Sequence, residues 1–183
     1  MTDRPISSLD VLDFWWRAGE SKWFGGGEKF DGLCRDGFLG TIEDAIAGKL
    51  DHWAETAEGT LALLLLLDQM PRNVFRGTPK AFAGDEKAVS IAEYALAHGF
   101  DRAFPTAVRN FFYLPFEHSE NMAHQEKCVD LCRLLGEMEA YHYALIHLDV
   151  IRRFGRFPHR NAILGRTSTA AEIAYLENGG FSA

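Results

Sequence analysis

The chain is poor in the features that would place it outside the ordinary helical, globular class. It has only three cysteines, Cys34, Cys128 and Cys132, in 183 residues. An odd and sparse set excludes a disulfide framework and fits reduced thiols in a cytoplasmic protein. Its most apolar run, Leu61 to Leu67, is seven residues long. That is far short of the roughly 20 needed to span a bilayer, so the run is expected to be a buried core helix. Met1 to Leu12 lacks the basic-then-apolar pattern of a signal peptide, and neither end carries a lipidation motif. Basic residues are the minority: 19 Lys and Arg face 26 Asp and Glu, for a net charge of −7. Such a surface repels nucleic acid on average, and no nucleic-acid partner is expected. No segment alternates at period two, so no sheet is expected. There is no low-complexity stretch and no dividing linker, so residues 1–183 are expected to form one domain.

Helical spacing fills most of the chain. Ser7 or Ser8 is placed to cap a first helix carrying Leu9, Leu12, Trp15 and Trp16. Gly25-Gly26-Gly27 separates it from a second, in which Phe30, Leu33, Cys34, Phe38, Ile42, Ala45 and Ile46 recur at threes and fours before Gly48. A third is expected from about Thr56 to Met70, stopped by Pro71. Asp85 is expected to cap a fourth that ends at Gly99. A shorter piece after Pro105 is expected to break at Pro115. Ser119 to Leu135 and Met138 to Phe154 read as long helices separated by Gly136. Thr169 and Glu172 have the spacing of a capping box for a last one. Short turns between successive helices imply antiparallel neighbours.

Three stretches break the helical pattern with polarity. Asp68-Gln69-Met70-Pro71-Arg72-Asn73, followed by Arg76, ends the most apolar helix. A carboxylate and an amide that follow a buried run need partners, and arginine is the natural one. Glu117-His118-Ser119-Glu120 sits at a predicted helix start, where Ser119 reads as the N-cap. Glu117, His118 and Glu120 are types that pass protons or bind metals, but their spacing is no recognised metal motif. Finally, Arg152, Arg153, Arg156, Arg160 and Arg166 place +5 within fifteen residues, with His159 among them, while the whole chain carries −7 and the remainder therefore −12. Either these arginines bind an anion or an acidic partner, or they pair with the chain's own carboxylates, Asp68, Glu117 and Glu120 included.

Other features read more simply. His124, Cys128 and Cys132 share one helix face and have zinc-ligand chemistry, but such cysteines are more often core residues. Cys34 and Ser119 have no elbow motif or neighbouring histidine that would make a nucleophile. Gly25-Gly26-Gly27 lacks the Lys-Ser/Thr and the preceding strand of a phosphate loop. No metal and no cofactor are expected. The Trp and Phe residues near the N-terminus read as packing.

Leu67–Asn73, Arg76–Pro79, Ala81–Ala83, Leu114–Glu120, Arg153–Asn161 and Leu164–Thr169 together resemble the bacterial family known as domain of unknown function 924. Phe14-Trp15 and Trp23-Phe24 extend the match to nearly the whole chain. The resemblance implies an all-α fold of antiparallel helix pairs stacked like tetratricopeptide domains, although no repeat of roughly 34 residues is visible here. It implies no established activity, substrate or cofactor, and carries over no catalytic residue. Glu117 stands where the resemblance would place an apolar residue.

Three functions follow as expectations. The first is a small-molecule binder or enzyme whose pocket gathers Asp68, Gln69, Arg72, Asn73, His118, Glu120, His147, Arg156, His159, Arg160 and Asn161. There the arginines would hold a carboxylate or phosphate, and His118, His159 or Glu120 would act as acid or base. His147 alone would read as a core histidine. The second is a module that clamps an acidic peptide in a groove. The third is a purely structural ion-pair network.

Overall fold

The computed structural model describes residues 4–182, so Met1–Asp3 and Ala183, which the expectations about the termini include, lie outside it. Ten α-helices follow in order: α1 (Ser8–Ala18), α2 (Glu20–Trp23), α3 (Gly27–Ile46), α4 (Ala57–Leu64), α5 (Met70–Val74), α6 (Asp85–Ala97), α7 (Thr106–Glu117), α8 (Met122–Leu135), α9 (Met138–Phe154) and α10 (Ala170–Glu177). Among the described residues there is no strand. None of the described helices is long and apolar enough to cross a membrane.

Caps behave as their chemistry dictates at most boundaries. Ser7 and Asp10 form a reciprocal capping box on α1, and Thr169 and Glu172 form one on α10. Gly136 and Gly155 close α8 and α9 in the left-handed conformation. The latter turns the chain into the arginine-rich loop.

The core is built around α4, whose Leu61, Ala62, Leu63 and Leu64 are all buried. α1, α6 and α7 pack on it, and α8 lies between α7 and α9. Trp15, Phe30, Cys34, Ile42, Phe111, Phe112 and Phe116 share this core. Trp23 and Phe111 meet edge to face at 5.2 Å, so the N-terminal aromatics do pack as expected. A smaller cluster of Val150, Ile151 and Phe157, with Phe154, Tyr175 and Phe181, seats the C-terminal segment. All three thiols are free and buried.

Four expectations need correction, and three of them shape the site. Pro71 does not end the third helix. Residues Leu65–Gln69 widen into a π-helical turn in which Met70 N–H bonds the Leu65 carbonyl, and α5 continues with Pro71 in its first turn. Proline has no N–H donor, and in the first turn of α5 the helix needs none from it. Asp85 is not a side-chain cap: it is the first residue of α6 after Gly84, and its carboxylate faces Arg72 and Arg160. Ser119 is not the N-cap of α8. Asn121 is, accepting from Ala123 N–H at 2.9 Å, and Ser119 lies 2.8 Å from His124 instead. Pro115 sits inside α7 without breaking it, because the flanking Phe112, Leu114 and Phe116 are buried and hold the turn.

Candidate functional site

The π-helical turn is the anchor. It rotates Asp68 inward at the end of a run with no other polar group, and leaves the carboxyl 1% exposed. Such a group must be answered by its neighbours. His118, the residue that caps the C-terminus of α7, donates from Nδ1 to Asp68 Oδ1 at 2.7 Å. The Gln69 amide donates to the other oxygen. Arg72, one turn on, lies 3.3 Å from the same carboxylate and also donates to the Asp68 carbonyl. Burial works to raise Asp68, but the Arg72 charge and the His118 bond outweigh it and hold the carboxyl below the ordinary range. Burial pulls His118 the other way, below the ordinary histidine range, against the pull of Asp68. The pair is therefore a carboxylate and a neutral imidazole whose Nδ1 carries the hydrogen, which leaves the Nε2 lone pair as an acceptor.

Asp85 brings the next layer. Gly84 makes its position possible: a Cβ there would lie 2.3 Å from the Leu67 carbonyl oxygen. The start of α6 can thus press directly against the π-helical turn. Asp85 accepts from Arg72 at 3.1 and 3.2 Å and from Arg160 at 3.4 Å. Arg160 is 8% exposed and lies between the rings of Phe82 and Phe157, 4.7 and 4.5 Å from their centroids. Burial lowers its pKa to about 10, and the neighbouring Arg72 adds to the effect. Its Nε is buried and has no partner, and the same is true of Arg166 Nε, His159 Nδ1 and Asn161 Oδ1.

The structure thus gathers Asp68, Gln69, Arg72, His118 and Arg160. His147 joins them, its ring 6.0 Å from that of His118, with its Nδ1 donating to the Tyr143 carbonyl at 2.8 Å. Other candidates are engaged elsewhere. Asn73 donates to Asp31, which also pairs with Arg76. Arg156 forms a two-pronged bond with Glu172 at 2.6 and 2.8 Å. Asn161 donates to Ser168. Glu120 accepts from Phe157 N–H at 2.8 Å and from Arg166 at 2.7 and 2.9 Å, so both oxygens fasten the arginine-rich loop to the turn after α7. His159 packs against Phe157 and Phe181, at 5.6 and 5.7 Å. Two surface hollows of about 320 and 570 Å³ lie away from the cluster, one around Arg153, Tyr175 and Gly180, the other around Arg4, Arg35 and Thr41.

Sequence reasoning missed Asp85, because an aspartate at a helix start looks the same whether it caps or reaches elsewhere. It also left Glu117 open between a chemical role and an ion pair with one of the arginines. The residue is buried, and burial raises its carboxyl well above the ordinary range. One ligand atom from each of Glu117, Cys128 and Cys132 lies within 4.8 Å of the others, and the same holds for Glu117, His118 and His147. His124 joins neither group.

The buried rings make stability depend on pH. Burial depresses His147 to about 3 and His159 to about 4. The unfolded chain titrates histidine near about 6.5, so below that pH it binds protons the folded chain refuses. The stability these rings contribute is complete above about pH 6.5 and is lost as pH falls toward their folded values, by about 1.4 kcal/mol per unit for each ring. Glu117 has the opposite sign, because the folded chain keeps a proton that the unfolded chain releases above about pH 4.3. The urea midpoint is therefore expected to fall between pH 7 and pH 5, and to fall more steeply in Glu117→Gln. A flat profile in both proteins would show that the rings are hydrated.

The fold and the cluster define an all-helical protein that holds a histidine–aspartate pair and two arginines under its surface. Residues 11–180 match the family model described as bacterial protein of unknown function, DUF924, and the chain belongs to that family. It is similar to the solved structure of a protein of unknown function, ATU0120 from Agrobacterium tumefaciens, with a TM-score of 0.90 and 46% identity over 94% of this chain and 97% of that one. No curated protein matches it.

Proposed function

We propose that the protein binds a small anion, a carboxylate or phosphate, at Arg160, with the neutral His118 beside it as acid or base. The observation that carries this reading is the state of Arg160. A buried guanidinium is stable when its donors are spent in short bonds. Arg160 has one long contact to a carboxylate that Arg72 already holds, and a buried Nε without a partner. A planar oxyanion matches two of its donors at once. His118 is prepared in the same region, fixed by Asp68 in the tautomer whose Nε2 accepts a proton. The burial of Asp68, His147 and Arg160 favours a small ligand over a peptide laid in an open groove.

A structural reading has support of its own. Arg76–Asp31, Arg156–Glu172 and Arg166–Glu120 are already closed pairs. Those three arginines are accordingly left out of the ligand site. A thermal-shift series with inorganic phosphate, phosphorylated metabolites, small carboxylates and acidic peptides separates the readings. One class of anion is expected to raise the melting temperature of the wild type, by mass action on the folded state. Arg160→Met, which keeps the aliphatic stem between the two rings, is expected to abolish that response. If no anion shifts the wild type, the cluster is structural.

A further inference from the structure

Glu117 has no place in the network around Asp68. It is 4% exposed, and among the described residues no lysine or arginine pairs with it. Its Oε1 is 3.5 Å from His147 Nδ1, whose hydrogen is already directed to the Tyr143 carbonyl. Its Oε2 is 3.9 Å from Cys128 Sγ. Neither distance is that of an ordinary oxygen or nitrogen hydrogen bond, and a buried carboxyl left this way is costly.

What surrounds it is a set of soft donors. Cys128 and Cys132 stand one turn apart on α8, with Sγ atoms 3.8 Å from each other and both side chains buried. Asn110, two turns before Glu117 on α7, puts its Oδ1 3.9 Å from Cys132 Sγ. A tetrahedral zinc ion, with Zn–S about 2.3 Å and Zn–O about 2.0–2.2 Å, has S···S edges of about 3.8 Å and S···O edges of about 3.5 Å. The thiol pair already has the first spacing. Each oxygen lies a few tenths of an ångström beyond the second spacing from one sulfur, Glu117 Oε2 from Cys128 and Asn110 Oδ1 from Cys132, and the ligand atoms of Glu117, Cys128 and Cys132 all lie within 4.8 Å of one another. The thiols' other contact, from Cys128 Sγ to the Tyr113 carbonyl at 3.6 Å, is weak.

We propose that Glu117, Cys128 and Cys132 form a closed structural site for a thiophilic divalent cation of the zinc class, with the Asn110 amide oxygen as the fourth donor. Binding forms two metal–sulfur bonds and the metal–oxygen bonds. It releases the thiol protons and any carboxyl proton to solvent, and oxidises nothing. The site joins α7 to α8 just behind His118. The other grouping, Glu117 with His118 and His147, carries no thiolate; with each Nδ1 committed to Asp68 or to the Tyr143 carbonyl, it would bind through the two Nε2 atoms, and the variants below separate the two cradles. The proposal does not rest on anion binding at Arg160, and its test contains no anion.

The full chain is refolded with zinc or with chelator and desalted, and its metal content is measured. Cobalt is then used as a spectroscopic probe. The wild type is expected to retain roughly one zinc ion per chain. It should unfold at a higher urea midpoint with zinc than with chelator, and its cobalt form should show a thiolate charge-transfer band. Cys128→Ala is expected to lose the band and at least nine-tenths of the zinc, and Glu117→Gln to weaken retention. Circular dichroism confirms that each variant folds. The proposal is overturned if the wild type retains no more zinc than Cys128→Ala and its midpoint ignores the metal. It is overturned equally if the zinc survives in Cys128→Ala but is lost in His118→Ala, which assigns the ion to the histidines.

Discussion

Asp68→Ala is expected to lower the stability of the protein by about 3–5 kcal/mol, the range measured when one partner of a buried charge pair is removed. The carboxylate is 1% exposed and three side chains converge on it: the His118 imidazole, the Gln69 amide and the Arg72 guanidinium. Truncation leaves Arg72 with Asp85 and a backbone carbonyl, and leaves the His118 Nδ1–H with no acceptor on that side. Asp68→Asn keeps an oxygen for His118 and is expected to recover part of the loss, the remainder being the charge seen by Arg72. Urea unfolding of the three proteins at pH 7 reads both steps. By contrast, breaking the exposed pair of Arg17 with Asp13 is expected to cost about 0–1 kcal/mol. If Asp68→Ala cost no more than that, water would be reaching the carboxylate and the cluster would not be the closed network described above.

Gly84→Ala is the second large effect, and it acts through space rather than charge. The added Cβ would fall 2.3 Å from the Leu67 carbonyl oxygen and 3.0 Å from the Leu67 Cα. Both atoms are backbone in the buried π-helical turn, so no flexible side chain can yield. Overpacking of this kind costs about 1–3 kcal/mol, occasionally more. The start of α6 would have to withdraw and take Asp85 away from Arg72 and Arg160. The variant is therefore expected to lose stability beyond what its single methyl suggests, and to lose most of the additional effect of Asp85→Ala, since the two changes break the same contact. A double-mutant cycle in urea measures this. Strict additivity of the two would mean that Asp85 does not depend on the close approach.

The helices were legible to the extent that their signals are local. The serine cap of the first helix, read as Ser7 or Ser8, the capping box at Thr169, and the glycine breaks at Gly48, Gly99 and Gly136 need only neighbouring residues to act. The helix bounded by Met138 and Phe154 appears as its apolar spacing and flanking residues require. Three of the four local rules that failed did so where burial intervened. Pro71 and Pro115 are strong stop signals in an isolated helix, but here packing of the surrounding apolar turns holds the helix through each proline, with the π-helical turn absorbing the first. Asp85 has the form of a cap, yet the two arginines it meets come from α5 and from a loop 75 residues further on.

By itself the sequence determined that the chain is helical, that Asp68 and Gln69 follow a run that must be buried, and that the surplus arginines near the C-terminus need anions. Those conclusions follow from periodicity, hydrophobicity and charge, which are properties of neighbouring residues. Only the tertiary structure decided which carboxylate each arginine takes. Arg156 and Arg166 close on Glu172 and Glu120 with short two-pronged bonds, whereas Arg160 is left between two rings with one long contact to Asp85. It also decided that Glu117 faces two thiols rather than solvent. The physical reason is common to both. The energy of a charge depends on which groups share its low-dielectric surroundings, and those groups are set by helix packing, not by distance along the chain.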